Sequence, residues 1–253
     1  MSGSVYTPKG LSVRTFASRA EMGAAAARDV ADALRAQLSE GRTVRMVFAA
    51  APSQAEMLAA LVAEPGCDWS RVVAFHMDEY VGLPPDAPQR FGAWLGTRLF
   101  DRLPFGEVHL IRLGEDPEQT AAEYAARLAE APLNIVCLGI GVNGHIAFND
   151  PPVADFSDPL DVKIVTLDDV CRRQQVDDGG FPSFDEVPRQ AVTLTIPRLL
   201  AADRLFCVVP GRAKREAVRR TLRDPIGEAC PGTALRTHPD CTLYLDADSS
   251  PDA

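Results

Sequence analysis

Apolar residues recur along the chain in two rhythms. Short runs with strand character stand at Leu11 to Phe16, Val44 to Ala49, Val72 to Met77, Val108 to Ile111, Val162 to Leu167, Ala191 to Ile196, Leu205 to Val209 and Thr242 to Leu245, with a central run opening at Leu133. Between them lie segments with apolar residues at helical spacing. Ser18 reads as the N-cap of an alanine-rich helix to about Leu38, with Glu21 completing a capping box. Pro52-Ser53 begins a helix carrying Met57, Leu58, Leu61 and Val62, and a later one shows Phe91, Trp94, Leu95 and Leu99 on one face. Pro117 to Ala129 has Pro at its first turn. Asp168 precedes a short helix containing Arg172, Arg173, Gln174 and Gln175, and Gly211 opens another through Leu222. The segment from Gly179 to Val187 reads as loop, and residues 247–253 as a flexible polar tail.

Strand and helix alternate throughout, without repeats or a linker. The expected fold is α/β: a three-layer α/β/α sandwich with a mostly parallel, Rossmann-like sheet, in one domain over residues 1–253. Ligands of such sheets sit beyond the carboxyl ends of the strands, which directs attention to two strand ends. The run from Leu133 leads into glycines 139, 141 and 144, then His145 and Asp150. The run from Val72 ends in Asp78-Glu79-Tyr80. These two ends are expected to face one pocket.

Composition changes this picture little. The 253 residues are 46% hydrophobic and 24% charged, ordinary for a soluble globule. A net charge of −9 argues against a nucleic-acid surface, but local cations can still hold one phosphate. No apolar run is long enough for a membrane span, and the N-terminus lacks signal-peptide features. The 6 cysteines form no CxxC pair and read as reduced and structural, so the chain is expected to be cytoplasmic. Homo-oligomerisation is left open.

Gly139-Ile-Gly-Val-Asn-Gly144 satisfies GxGxxG, but Pro151 and Pro152 forbid the long helix that a dinucleotide site needs after its third glycine. A tight turn explains the glycines without a nucleotide. His145 is the best general acid/base candidate, with Asp150 to orient it and Asn143 to hydrogen-bond the site. Period-two alternation places His76 and Asp78 on one face and Met77 and Glu79 on the other, so Asp78 is the candidate carboxylate base. Helix capping is the alternative for that pair of acids. For an anion, the helix start at Gly211 with Lys214 is one candidate and Ser53 a second, although N-capping alone would account for Ser53. Arg172 and Arg173 are weaker ones.

The motifs Phe75-His-Met-Asp-Glu-Tyr-Val-Gly-Leu-Pro84 and Gly139-Ile-Gly-Val-Asn-Gly-His-Ile-Ala-Phe-Asn-Asp-Pro151 together resemble the glucosamine-6-phosphate deaminase/isomerase family, in a superfamily shared with the 6-phosphogluconolactonases. The resemblance implies cofactor-independent and metal-free isomerisation of an amino-sugar phosphate with loss of ammonia. It gives ring opening to His145 and proton transfer between C2 and C1 to Asp78. It gives phosphate contacts to Lys214 and Ser53, and substrate-loop positions to Gly141 and Gly144. The chain departs from the family pattern with Asn143 for aspartate, Asp150 for glutamate and Ala49-Ala-Ala-Pro-Ser-Gln54 for a glycine-rich phosphate loop. Gln175 replaces the phosphate arginine, and only Lys163 matches the allosteric basic residues. A neutral Asn143 can hydrogen-bond near His145 but cannot supply a charge. Two alternatives stand beside the deaminase: a sugar-lactone hydrolase in which His145 activates water, and a non-catalytic sugar-phosphate sensor.

Overall fold

A computed structural model describes residues 5–6 and 11–252. The main sheet follows the order β1-β2-β11-β10-β7-β3-β4-β6. Its strands are β1 (Val5–Tyr6), β2 (Leu11–Phe16), β3 (Val44–Phe48), β4 (Val72–His76), β6 (Glu107–His109), β7 (Ile135–Leu138), β10 (Arg204–Val209) and β11 (Cys241–Asp246). Only β1 pairs antiparallel; every other neighbouring pair runs parallel. Strands β5 (Asp78–Tyr80), β8 (Val162–Thr166) and β9 (Gln190–Leu194) form a separate antiparallel sheet in the order β5-β9-β8. The α/β sandwich and its mostly parallel sheet are thus as the sequence implied; the second sheet was not anticipated.

The alternation of apolar residues builds one core on each face of the main sheet. Met46, Phe48, Ile135, Cys137, Phe206 and Val208 pack beneath helices α1 (Arg19–Ser39) and α2 (Ala55–Ala63). Their neighbours Val47, Val136, Leu138, Leu205, Cys207 and Val209 join α4 (Pro117–Ala129) and α7 (Arg215–Arg223) on the other. Strands buried on both faces need continuous apolar runs, and these strands have them. Ser18 caps α1 by accepting the Glu21 N–H at 3.2 Å.

Two chain reversals place the site. From β3 the chain crosses to its neighbour β4, whereas β7 leads toward β10 on its other side. A crevice therefore opens between the carboxyl ends of β3 and β7, the switch point at which α/β sheets receive ligands. The strand expected to run through Asp78 instead leaves the main sheet at Met77 and enters the second sheet at Asp78. The expected alternation breaks there, because a chain that changes sheets also changes which side chains face the crevice.

Helix α3 (Phe91–Leu95) continues as a π-helical turn (Gly96–Phe100), and α5 (Asp169–Asp177) and the short α6 (Ile196–Leu200) complete the helices. Pro52–Gln54 and Arg212–Lys214 are 3₁₀ turns leading into α2 and α7. The polar tail expected to be flexible has exposed residues, Ala247, Asp248 and Asp252, and buried ones. Ser249 and Ser250 are buried, and the Arg215 side chain donates to the Ala247 and Asp248 carbonyls at 2.9 and 2.8 Å. Its polar groups pair with groups at the end of β11 and the start of α7.

Candidate functional site

A cavity of about 500 Å³ occupies the crevice. Its lining includes Ser53, Gln54, Asp78, Gly139, Gly141, His145, Gln175 and Lys214, so the candidates Ser53, Asp78, Gly141, His145 and Lys214 meet here. The loops after β3 and β7 touch: a Cβ on Gly139 would lie 3.0 Å from Gln54 Nε2 and 3.6 Å from Ser53 Oγ.

The glycine turn exists to seat the imidazole. A Cβ on Gly141 would lie 2.1 Å from His145 Cε1 and Nε2, so the ring occupies the space that any side chain there would need. Gly144 takes φ +90°, and its missing Cβ leaves room for Cys230. No helix opens at Gly144. The chain turns tightly instead, with Asn149 donating to the Ile146 and Leu194 carbonyls and Ala147 held at φ 49°.

His145 Nδ1 lies 2.8 Å from Asp150 Oδ1, a close contact without the alignment of a good hydrogen bond. Asp150 is fully buried. Burial alone would raise its carboxyl, but His145, the Asn143 amide and the Asp168 N–H together hold it below the usual carboxylate range. The side chain of Asn143 hydrogen-bonds around the imidazole, not to its ring. Its Oδ1 accepts the His145 backbone N–H at 3.0 Å, while its Nδ2 donates to Asp150 Oδ1 at 2.9 Å and Asp168 Oδ2 at 3.3 Å.

Asp78 shows the opposite shift. Burial, with the Glu79 and Asp150 carboxylates nearby, pushes its carboxyl well above the usual range. Helix capping falls to Glu79, which accepts the N–H groups of Tyr80, Phe91 and Gly92 at 2.9 to 3.2 Å. Asp78 is therefore left to the cavity. His76 turns away: its Nε2 accepts the Ile111 N–H at 2.7 Å, and burial drives it down to about 3.

Lys214 is buried at the cavity wall, and burial lowers it to about 8. At the helix start expected to offer N–H groups to an anion, the N–H of Gly211 itself donates to the Asp246 carboxylate at 3.0 and 3.1 Å. Ser53 is not an N-cap: no side-chain cap bond forms at this turn, and its hydroxyl accepts only a 3.3 Å contact from Gln54 Nε2. Arg172 and Arg173 do not line the cavity. Both guanidiniums lie over the Phe184 ring, and Arg172 donates to the Phe184 and Val187 carbonyls. A buried guanidinium needs such acceptors, and the loop after α5 supplies them. Lys163 instead pairs with Asp158 and donates to the Val153 carbonyl.

Sequence reasoning missed several lining residues, among them Gln54, Phe181, Asp178, Trp94 and Arg98. Gln174 Oε1 accepts the Val142 N–H at 2.9 Å, and Gln175 Oε1 accepts the Tyr80 hydroxyl at 2.6 Å. A signal for this wall existed: Cys171, Gln174, Gln175 and Asp178 recur at the spacing of one helix face, which Arg172 and Arg173 do not share. Tyr80 packs at a tilt against Phe91 and Phe148 and edge-on against Phe181, giving the cavity an aromatic side.

Among the described residues, His145, Asp150 and Cys171 place donor atoms within 4.8 Å of one another. Burial and the adjacent Asp150 keep the Cys171 thiol well above its ordinary value, so it stays protonated beside the carboxylate. A thiol is a poor metal ligand compared with a thiolate.

Comparison with known proteins bears on this geometry. A family model described as glucosamine-6-phosphate isomerases/6-phosphogluconolactonase matches residues 17–161. A glucosamine-6-phosphate deaminase of Streptococcus thermophilus is 34% identical over 184 residues, covering 72% of this chain and 77% of that protein. One from Bacillus cereus is 34% identical over 183 residues, covering 72% and 68%. A solved monomeric glucosamine-6-phosphate deaminase superposes with a TM-score of 0.86 at 27% identity, covering 94% of this chain and 98% of that one. A 6-phosphogluconolactonase from Thermotoga maritima shares the fold, with a TM-score of 0.76 at 19% identity over 93% and 99% of the two chains.

Proposed function

The chain belongs to the glucosamine-6-phosphate isomerase/6-phosphogluconolactonase family, and from that premise we propose that it converts an amino-sugar 6-phosphate to fructose 6-phosphate and ammonia. The observation that carries this reading is the meeting of the Asp78 carboxyl and the His145 imidazole on one cavity, with Ser53 and Lys214 in the same lining.

The steps follow from what each group can do. Asp150 engages His145 Nδ1, leaving Nε2 for the sugar ring oxygen. Protonation there opens the pyranose to the aldehyde. Asp78, as carboxylate, takes the C2 proton; the C–H electrons form the C1–C2 double bond of an enolamine, and the proton lost by the C2 ammonium turns the C1 carbonyl into a hydroxyl. Return of a proton to C1 leaves an iminium at C2. Water adds to that carbon, and ammonia leaves to give the ketone. The phosphate lies against Lys214 and the Ser53 hydroxyl.

The pH dependence follows from two opposite shifts. Only ionised Asp78 is a base, and its carboxyl is raised, so kcat/KM climbs as pH rises through its free-enzyme value. The C2 ammonium of bound substrate favours the carboxylate and draws that value down in the complex. Lys214 loses its charge near pH 8, so kcat/KM turns down there. Incubation of purified protein with glucosamine 6-phosphate tests the reading: ammonia and fructose 6-phosphate are expected in equal amounts, with this profile. Hydrolysis of a phosphorylated sugar lactone without ammonia release would instead assign the site to a lactonase.

A further inference from the structure

Two carboxyls, Asp78 and Asp178, share the cavity lining with Lys214, an unfavourable balance for a substrate carrying a phosphate dianion. Helix α5 does not correct it. Its cavity-facing positions are Gln174 and Gln175, while Arg172 and Arg173 lie over Phe184. Burial lowers Lys214 to about 8, so its charge is lost as pH rises through that value. A guanidinium stays charged throughout.

Among the described residues one arginine lines the cavity, and it comes from another wall. Arg98 lies in the π-helical turn after α3, one helical turn beyond Trp94, and its guanidinium carbon stands 4.2 Å from the centre of the Trp94 ring. Both residues line the cavity. Leu95, Leu99 and Phe100 from this segment are buried with Met57, Leu58 and Leu61 of α2, the helix that follows Ser53. The segment is thus seated against the element that opens with Ser53. Arg98 is exposed, and among the described residues it makes no ion pair, only a 3.4 Å contact with the Thr97 hydroxyl. Its donors remain for a ligand. Single π turns often mark functional sites because they shift the register of the residues that follow.

We propose that Arg98, held against the Trp94 ring at the cavity mouth, is the arginine that grips the substrate phosphate, replacing the cation that α5 does not provide. This rests on reading the ligand as a phosphorylated sugar. A planar fork of donors can bind two phosphate oxygens at once, and stacking on Trp94 restricts its orientation before the ligand arrives. Arg98 therefore discriminates phosphorylated from unphosphorylated sugars and does not act on the bonds at C1 and C2.

The test measures binding and turnover of glucosamine 6-phosphate, unphosphorylated glucosamine and inorganic phosphate by the full chain and by Arg98→Ala and Arg98→Lys. Arg98→Ala is expected to weaken glucosamine 6-phosphate binding by roughly 10- to 100-fold, the loss of a charged hydrogen-bonding group. Loss of inorganic phosphate binding should accompany it, with kcat and glucosamine affinity little changed. Arg98→Lys should recover only part, since it restores charge without the fork. Because the residue is exposed, the thermal midpoint should not move. Affinities of Arg98→Ala for phosphorylated ligands within about twofold of wild type would overturn the proposal. So would a wild-type protein that binds no phosphorylated ligand. Arg98-dependent binding of sugar phosphate without ammonia release would sustain this proposal while removing the deaminase reading.

Discussion

Asn143 shows how one residue can look like a defect in the sequence and a fitted part in the structure. Its carbonyl oxygen accepts the His145 N–H, and its amide donates to Asp150 and Asp168. Only a carboxamide can do both. Aspartate at 143 would put three carboxylates together, so its own carboxyl would be raised by Asp150 and Asp168. A raised carboxyl contributes stability at low pH and loses it as pH rises through the folded-state value. Asn143→Asp should therefore cost on the order of 1–3 kcal/mol at pH 8, with a smaller loss near pH 5. Urea denaturation at the two pH values checks this, and equal stability at pH 8 would contradict it. The same logic makes Gly141 obligatory, since its Cβ would occupy the imidazole position.

At the scale of elements, the key join is the step from β4 to β5. Glu79 turns back from it to satisfy the first N–H groups of α3, the helix that presents Phe91, Trp94 and, through its π turn, Arg98. Glutamine at 79 keeps one acceptor oxygen and aims an NH₂ at a backbone donor. Glu79→Gln should lower stability by roughly 1–3 kcal/mol and raise KM with less change in kcat, measurable by thermal melts and steady-state kinetics. The main sheet was legible because its strands are buried on both faces and read as unbroken apolar runs. The second sheet was not, because β5 follows β4 after a single residue and reads as its continuation. For the same reason alternation misjudged Met77, which lines the cavity beside Asp78. Asp78, His145, Ser53 and Lys214, named from strand ends, helix starts and motif, line the cavity, and Asp150 lies against His145. Arg98 and Gln54 were not named, since the first lies on a π turn and the second points inward from a turn that breaks helical spacing.

At the scale of the molecule, a sheet whose connections diverge between β3 and β7 opens the crevice, and the small antiparallel sheet closes one side by delivering Asp78 to it. That delivery has a thermodynamic cost. A buried carboxyl with a raised value destabilises the fold increasingly as pH climbs above the unfolded aspartate value near ~4. Asp78→Asn should thus be at least as stable as wild type at neutral pH, with an advantage that fades toward that acidic limit. The decisive measurement is ammonia release from saturating glucosamine 6-phosphate by wild type and Asp78→Asn, with calorimetry confirming that both bind the sugar phosphate. The expected result is steady release by wild type and a loss of at least about 100-fold in the variant at similar affinity. Release by Asp78→Asn at the wild-type rate would contradict the assignment of Asp78 as the base.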